Sequence, residues 1–361
     1  MIDTKEKMEL TKFLLQALNM ALNLDGETSY TNSFAIEITE EGFLWIPRVP
    51  CSFVIGSELY QKIYAIASSV LFPLFTLLKQ NGMYLVALNT DDIHVQRAFF
   101  FPWIEGTPKR LVFSNIQNVV TKVQSDFIPL MKNYNVDLNK ITHIAIAGNS
   151  GSGKSFHLVY WLYLLEQFCD LTIIDPKFDS PSRWAIKHNV KLVYPQENRN
   201  QNDFVSQVND VLSQSVNLIY TRQRMLFENP NTVFKHHVIV VDELLAISST
   251  TNKQIHDSFF SLLSQIALLG RATSVHLLTC SQRYDHNTLP VACREQFNLM
   301  IQLGNINKKT TQFLFPDLDD AEEIVIPQGI GTGIIQTIDG VHPNNVFPFL
   351  TPTYQAEEGV L

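Results

Sequence analysis

The chain has 361 residues, with 27 Lys and Arg against 35 Asp and Glu, a formal net charge of −8 and a charged fraction of only 17%. An apolar fraction of 45% excludes a disordered or low-complexity polymer, and the length suits roughly two domains of about 150 residues each. The acidic balance argues against binding polyanions through overall charge, although residues 1–110 carry −3, 111–235 carry +2 and 236–361 carry −7, which leaves room for a local basic channel.

Residues 1–110 read as a separate α+β domain. Leu10, Phe13, Leu14, Leu18 and Leu22 recur at helical spacing, and Asp25-Gly26 marks a turn. Alternating runs at 33–38 and 42–46 predict strands, and 60–78 predicts a helix. Asn81-Gly82 opens a strand pair, 83–88 and 93–99, joined by a turn at 89–92. No catalytic constellation stands out here, and Pro102 to Lys109 is the expected linker.

From residue 111 to 361 short apolar strands alternate with helix-length segments. The strands are expected at 142–147, 171–175, 190–194, 237–241, 274–279 and 299–303. Val205, Val208, Leu212, Val216 and Ile219 fall on one helical face. Helices between nearly all-apolar strands indicate an α/β domain whose mostly parallel sheet is covered on both faces.

Cys51, Cys169, Cys280 and Cys293 are scattered, with no Cys-x-x-Cys pair and no His at metal-ligand spacing, which points to a reducing, cytoplasmic setting. The segment from Met1 to Lys12 is charged and gives no secretory signal. The longest charge-free apolar run, Ile63 to Leu78, contains Pro73 and falls short of the ~20 residues a spanning helix needs. No transmembrane segment is expected.

The strongest signal is Gly148-Asn149-Ser150-Gly151-Ser152-Gly153-Lys154-Ser155, a Walker A loop between a predicted strand and a predicted helix. Its glycines let backbone N–H groups surround a phosphate chain, Lys154 would reach the β- and γ-phosphates, and the Ser155 hydroxyl would ligate Mg²⁺. The run His237 to Glu243 is an apolar strand ending in Asp-Glu, the Walker B arrangement. Asp242 would hold Mg²⁺ through water, and Glu243 would polarise the attacking water, which favours NTP hydrolysis over a kinase reaction.

Three further pieces each admit two readings. Gln282, after a predicted strand, is either a γ-phosphate sensor or a plain loop residue. Asp175-Pro176-Lys177 is either a turn with an Asp cap or a functional strand end. Arg271 either offsets a helix dipole or serves as an arginine finger toward a neighbouring subunit. Arg183, Lys187, Lys191 and Arg199 are candidates for DNA contact or simply a solvated face.

Taken in order, the Walker A loop, Asp175-Pro176-Lys177, Val240-Val241-Asp242-Glu243, Gly270-Arg271-Ala272 with His276-Leu277, Ser281-Gln282-Arg283 and the Gly-rich stretch 329–333 resemble the FtsK/SpoIIIE-type DNA translocases of the HerA–FtsK superfamily. The resemblance spans about residues 111–361 and is closest to compact members from plasmids, phages and other mobile elements. It implies a RecA-like P-loop ATPase core, ATP and Mg²⁺ as ligands, and a ring, usually a hexamer, around double-stranded DNA with Arg271 acting in trans. Tyr284 stands where the family usually has Pro, and neither a winged-helix module nor a membrane anchor is recognised. Residues 1–110 would offer a face to a membrane, relaxase or replication partner. A nucleotide-controlled adaptor that recruits DNA-processing proteins is the competing expectation, and an ATPase acting on protein substrates is a third.

Overall fold

The computed structural model describes residues 4–23, 33–48, 55–80, 82–93, 95–121, 123, 126–248, 252–340 and 345–361. The expected turn at Asp25-Gly26, Cys51 and Asn81 lie outside them. The chain forms two compact units. One comprises Met1–Pro108 with Asp317–Val325 and Asn345–Phe347; the other holds Lys109–Pro316, Ile326–Asn344 and Pro348–Leu361. The partition is therefore not a single cut.

The first unit contains α1 (Thr4–Asn23), β1 (Phe34–Ile38), β2 (Gly42–Pro47), α2 (Ser57–Leu71), β3 (Phe75–Leu77), β4 (Leu85–Ala87) and β5 (Arg97–Glu105). Leu10, Leu14, Leu18 and Leu22 bury one seam of α1 at i, i+4 spacing, while Phe13 stays 50% exposed, so the apolar stripe is narrower than the sequence predicts. The expected helix 60–78 ends at Leu71, because Pro73 supplies no N–H and pushes Phe72 into extended backbone (ψ 136°). The chain then re-forms as β3. The sheet runs β1-β2-β5-β3, with β4 also on β5, and all pairs are antiparallel. The hairpin of β4 with β5 pairs Leu85 with Phe99, so its second strand starts at Arg97 and runs through Pro102 to Glu105; Ile93 is left exposed in the connection.

The core of this unit is aromatic. Phe101 stacks between Phe43 (4.7 Å) and Tyr60 (4.3 Å), and Trp45 stacks on Phe99 (5.5 Å). These rings are almost wholly buried, and each buried ring contributes about 1.5–3 kcal/mol through removal from water. Lys79 is also buried, paired with Glu323 at 2.5 Å and lying 4.7 Å from the Tyr64 ring centroid. Its backbone bonds Val346 in both directions.

The second unit opens with β6 (Val112–Phe113), α3 (Gln117–Val120), β7 (Phe127–Met131) and β8 (Tyr134–Asp137). Its main alternation follows: β9 (Ile144–Gly148), α4 (Lys154–Leu165), β10 (Cys169–Ile174), α5 (Ser180–Lys187), β11 (Lys191–Val193), α6 (Gln201–Glu228), β12 (His236–Val241), α7 (Leu244–Ser248), α8 (Lys253–Leu269), β13 (Val275–Ser281), α9 (Val291–Arg294) and β14 (Leu299–Leu303). It closes with α10 (Lys308–Thr311), β15 (Thr332–Thr337), β16 (Val346–Leu350, whose first two residues are counted with the first unit) and β17 (Thr353–Tyr354).

The eight-stranded sheet has the order β11-β10-β12-β13-β9-β14-β15-β16. The pairs from β11 through β14 are parallel, and β15 is antiparallel to β14. Both faces are covered, so every residue of β9, β13 and β14 is buried. All five residues of the predicted α6 stripe are buried, and a reciprocal capping box of Asn200 with Asp203 starts that helix. Among the described residues, no helix is long and apolar enough to cross a membrane.

Candidate functional site

In a parallel sheet the C-terminal strand ends share one edge, and the loops leaving them meet there. β9, β10, β12 and β13 are consecutive or near neighbours, so the Walker A loop, Asp175-Pro176-Lys177, Asp242-Glu243 and Gln282 all emerge on this edge.

The Walker A loop leaves β9 at Gly148 and enters α4 at Lys154. Gly151 and Gly153 take φ of +78° and +92°, where a side chain would be strained. At Gly153 a Cβ would also press within 3.1 Å of the Gly331 backbone. That contact brings the later Gly-rich stretch onto the loop: the Gly331 N–H donates to the Ser152 carbonyl at 2.9 Å. Arg110 holds the same stretch, donating to the Ile330 carbonyl (2.8 Å) and to the Thr353 hydroxyl (3.2 Å). Residues 329–331 form a loop on the Walker A turn, and Thr332 begins β15.

Lys154 is buried, its ammonium 3.5 Å from Glu243 Oε2. Glu243 follows β12 with φ +46°, an uncommon conformation for a non-glycine residue and a form of strain typical of functional sites. Its Oε2 also pairs with the Lys177 ammonium, and its Oε1 accepts the Gln282 N–H at 3.1 Å. Burial alone would raise this carboxyl; Lys177, Lys154 and the Gln282 amide outweigh burial and hold it below the usual carboxylate range. Burial dominates at neighbouring Asp242, pushing its carboxyl up to about 6 against the opposing pull of Lys154.

Asp242 Oδ1 and Ser152 Oγ are buried with no hydrogen-bond partner among the described residues. Such atoms are costly unless something fills them, and a divalent cation and a phosphate oxygen match the two deficits. The donor set therefore fits Mg²⁺, with Asp242 and Ser155 as the residues that would hold it.

Asp175 has a structural task. It is fully buried and accepts the Lys177 N–H (2.9 Å), the Asp179 N–H (2.9 Å) and the Ser182 hydroxyl (2.6 Å). This is the capped turn, and it leaves Lys177 as the chemically engaged member of the Asp-Pro-Lys piece. Gln282 touches Glu243 through its backbone, so that bond does not depend on the side chain, which is exposed. Tyr284 is buried beneath the loop, its hydroxyl donating to the Thr279 carbonyl at 2.8 Å.

Arg271 lies apart from this edge. It sits in the turn before β13, at the N-terminal end of a strand whose other end carries Gln282, and its side chain is exposed. Gly270 is required there by space, since a Cβ would meet the Val275 carbonyl at 2.2 Å. The basic candidates for DNA contact are largely engaged inside the unit: Arg183 with Asp179, Lys187 with Glu357, and Lys191 with Gln214.

Arg110 is a site residue that sequence reasoning does not single out, and Lys177 enters it only as part of the Asp-Pro-Lys piece. The partnership of Lys177 with Glu243 follows only from the fold. Arg110 carries no local signal, because its partner carbonyl is 220 residues away.

No family model matches the chain. Among curated proteins, an FtsK domain-containing protein, YdcQ of Bacillus subtilis (strain 168), is 26% identical over 211 residues, 55% of this chain and 42% of that protein. The chain thus spans less than half of that relative's length. Among solved structures, the pCW3 conjugation coupling protein TcpA, in monomer form with ATPγS, aligns with a TM-score of 0.56 at 16% identity over 97% of this chain and 96% of that one. The cytoplasmic domain of the Thermomonospora curvata type VII secretion ATPase EccC aligns with a TM-score of 0.45 at 17% identity, over 65% of this chain and 30% of that one.

Proposed function

We propose that the chain is an FtsK-type P-loop ATPase whose turnover moves DNA through a ring of like subunits, a reading supported by its 26% identity to an FtsK domain-containing protein. The observation that carries this reading is the convergence of Lys154, Asp242 and Glu243 on one strand edge beside an open phosphate loop. Lys154 and the loop N–H groups would bind the β- and γ-phosphates, as in other P-loop sites. Mg²⁺, held by Ser155 and Asp242, would neutralise charge on those phosphates. Glu243 would orient and polarise the water.

Arg271 lies at the opposite end of β13 from Gln282 and is exposed, which supports a role toward a neighbour's nucleotide and hence an oligomer. We assign the role of Gln282 to its side chain, which is exposed on the same edge and free to meet a γ-phosphate. The free, buried thiols of Cys169, Cys280 and Cys293 suit the reducing cytoplasm.

The test is ATP turnover with and without double-stranded DNA, together with the mass of the assembly in a non-hydrolysable analogue. The expected result is turnover that DNA raises, a stimulation that declines steeply with salt, and a ring-sized mass. Turnover indifferent to DNA would replace the motor with an adaptor, and no turnover at all would remove the ATPase.

A further inference from the structure

Glu243 is assigned to polarise water, yet both of its carboxylate oxygens are already engaged by other groups. Oε2 is held by the Lys177 ammonium, with Lys154 3.5 Å away, and Oε1 is held by the Gln282 N–H. The side chain is only 4% exposed. Bound phosphates offer Lys154 a stronger partner than Glu243, so that contact ends when nucleotide arrives. Lys177 is different, because nothing in the phosphate loop claims it.

The surroundings of Lys177 suit a movable clamp. Its backbone is fixed by the fully buried Asp175, whose two oxygens accept the Lys177 N–H, the Asp179 N–H and the Ser182 hydroxyl. Its side chain is 40% exposed, against 7% for Lys154. The residue is thus anchored at its main chain, with a partly exposed side chain whose ammonium meets the carboxylate that the reaction needs.

We propose that Lys177 is a positioning residue that latches Glu243 in a resting orientation and thereby restrains hydrolysis until the latch opens. The proposal rests on the ATPase reading above and adds control to the same site. Lys177 acts through Glu243 and needs no contact with ATP. A residue serving only to neutralise a buried acid would give a different response when removed, since its loss would weaken the site and slow the reaction.

The experiment measures kcat and KM for ATP without DNA in Lys177→Met, Lys177→Gln and Lys177→Arg, alongside the affinity for a non-hydrolysable analogue and a melting curve for each protein. Lys177→Met and Lys177→Gln should raise DNA-free kcat by about tenfold, the equivalent of one charge-assisted hydrogen bond, with analogue affinity little changed. Lys177→Arg, which retains a cation able to grip the carboxylate, should stay at or below the parent rate. A lowered kcat in Lys177→Met that Lys177→Arg restores would overturn the latch and make Lys177 a phosphate contact. An unchanged kcat in both neutral variants would overturn it as well. Those failures need an active parent protein; a parent inactive with and without DNA would instead bring down the ATPase reading and the latch with it.

Discussion

The two units differ most in charge. The first holds 7 Lys and Arg against 17 Asp and Glu, a net of −10, whereas the second holds 20 against 18, a net of +2. The acidity of residues 236–361 is largely a property of the first unit, because Asp317, Asp319, Asp320, Glu322 and Glu323 belong to it. The whole-chain value of −8 is therefore an average over two unlike bodies, and it says little about the potential around the phosphate loop.

The units also differ in what they bury. The first buries stacked aromatic rings and one lysine paired with Glu323. The second keeps a positive-φ glutamate, an unpartnered aspartate oxygen and an unpartnered serine hydroxyl on one strand edge. Among the described residues, buried polar atoms without a partner occur in both units, Trp45 Nε1 in the aromatic core among them, but those of Asp242 and Ser152 stand on the edge where chemistry is proposed.

Three measurements would break this contrast or sharpen it. The largest effect is expected in the chemistry of the second unit. Arg271→Ala should lower kcat by roughly 10³-fold while still binding ATP, the scale of an arginine finger. Lys154→Ala should also be inactive, and mixing the two variants should restore part of the turnover, because each supplies what the other lacks. Normal hydrolysis by Arg271→Ala at saturating DNA would remove the trans role.

Acid should come next. Nine of the ten histidines lie in the second unit, the exception being His94. Burial lowers His143 to about 4, and His157 and His276 to about 3. These rings are neutral when folded, so above the ordinary value of 6.5 they cost nothing. As pH falls below it, the unfolded chain takes up protons first, and stability drops by on the order of 1 kcal/mol per histidine per pH unit. Hydrogen exchange between about pH 7 and 5 should show the second unit losing protection before the first. The reverse order would contradict the contrast.

The smallest effect tests the first unit's independence from the chemistry. Ile63 is fully buried there, and Ile63→Val should cost about 0.5–1.5 kcal/mol in thermal unfolding. ATP affinity should not change. A large loss of nucleotide binding would show that the two units are energetically joined.

Much of the second unit is legible in sequence. Strands such as 299–303 and 237–241 are nearly unbroken apolar runs, and a strand buried on both faces leaves that pattern wherever it occurs. The strands β15 and β16 escape such reading, because at the antiparallel end of the sheet their runs carry no flanking helix to frame them. In the first unit apolar content extends the expected helix across Pro73, a place where local proline chemistry outranks hydrophobicity. The Walker residues are readable since each carries its role in its own side chain. The engagement of Lys177 is not, because it depends on β10 lying beside β12. Gln282 shows a different limit: its bond to Glu243 is made by main chain, which no residue identity encodes.

The burial of Lys79 has a consequence for biosynthesis. Its carboxylate partner and its backbone partner, Glu323 and Val346, emerge from the ribosome only after nearly all of the second unit has been made. At ~5–20 residues per second that interval is on the order of tens of seconds. During it the first unit must either leave this ammonium in water or hold a buried charge unpaired, and the latter is strongly unfavourable. Its fold is thus completed last although its sequence is read first, and a nascent chain halted at Pro108 would lack the two segments that finish it.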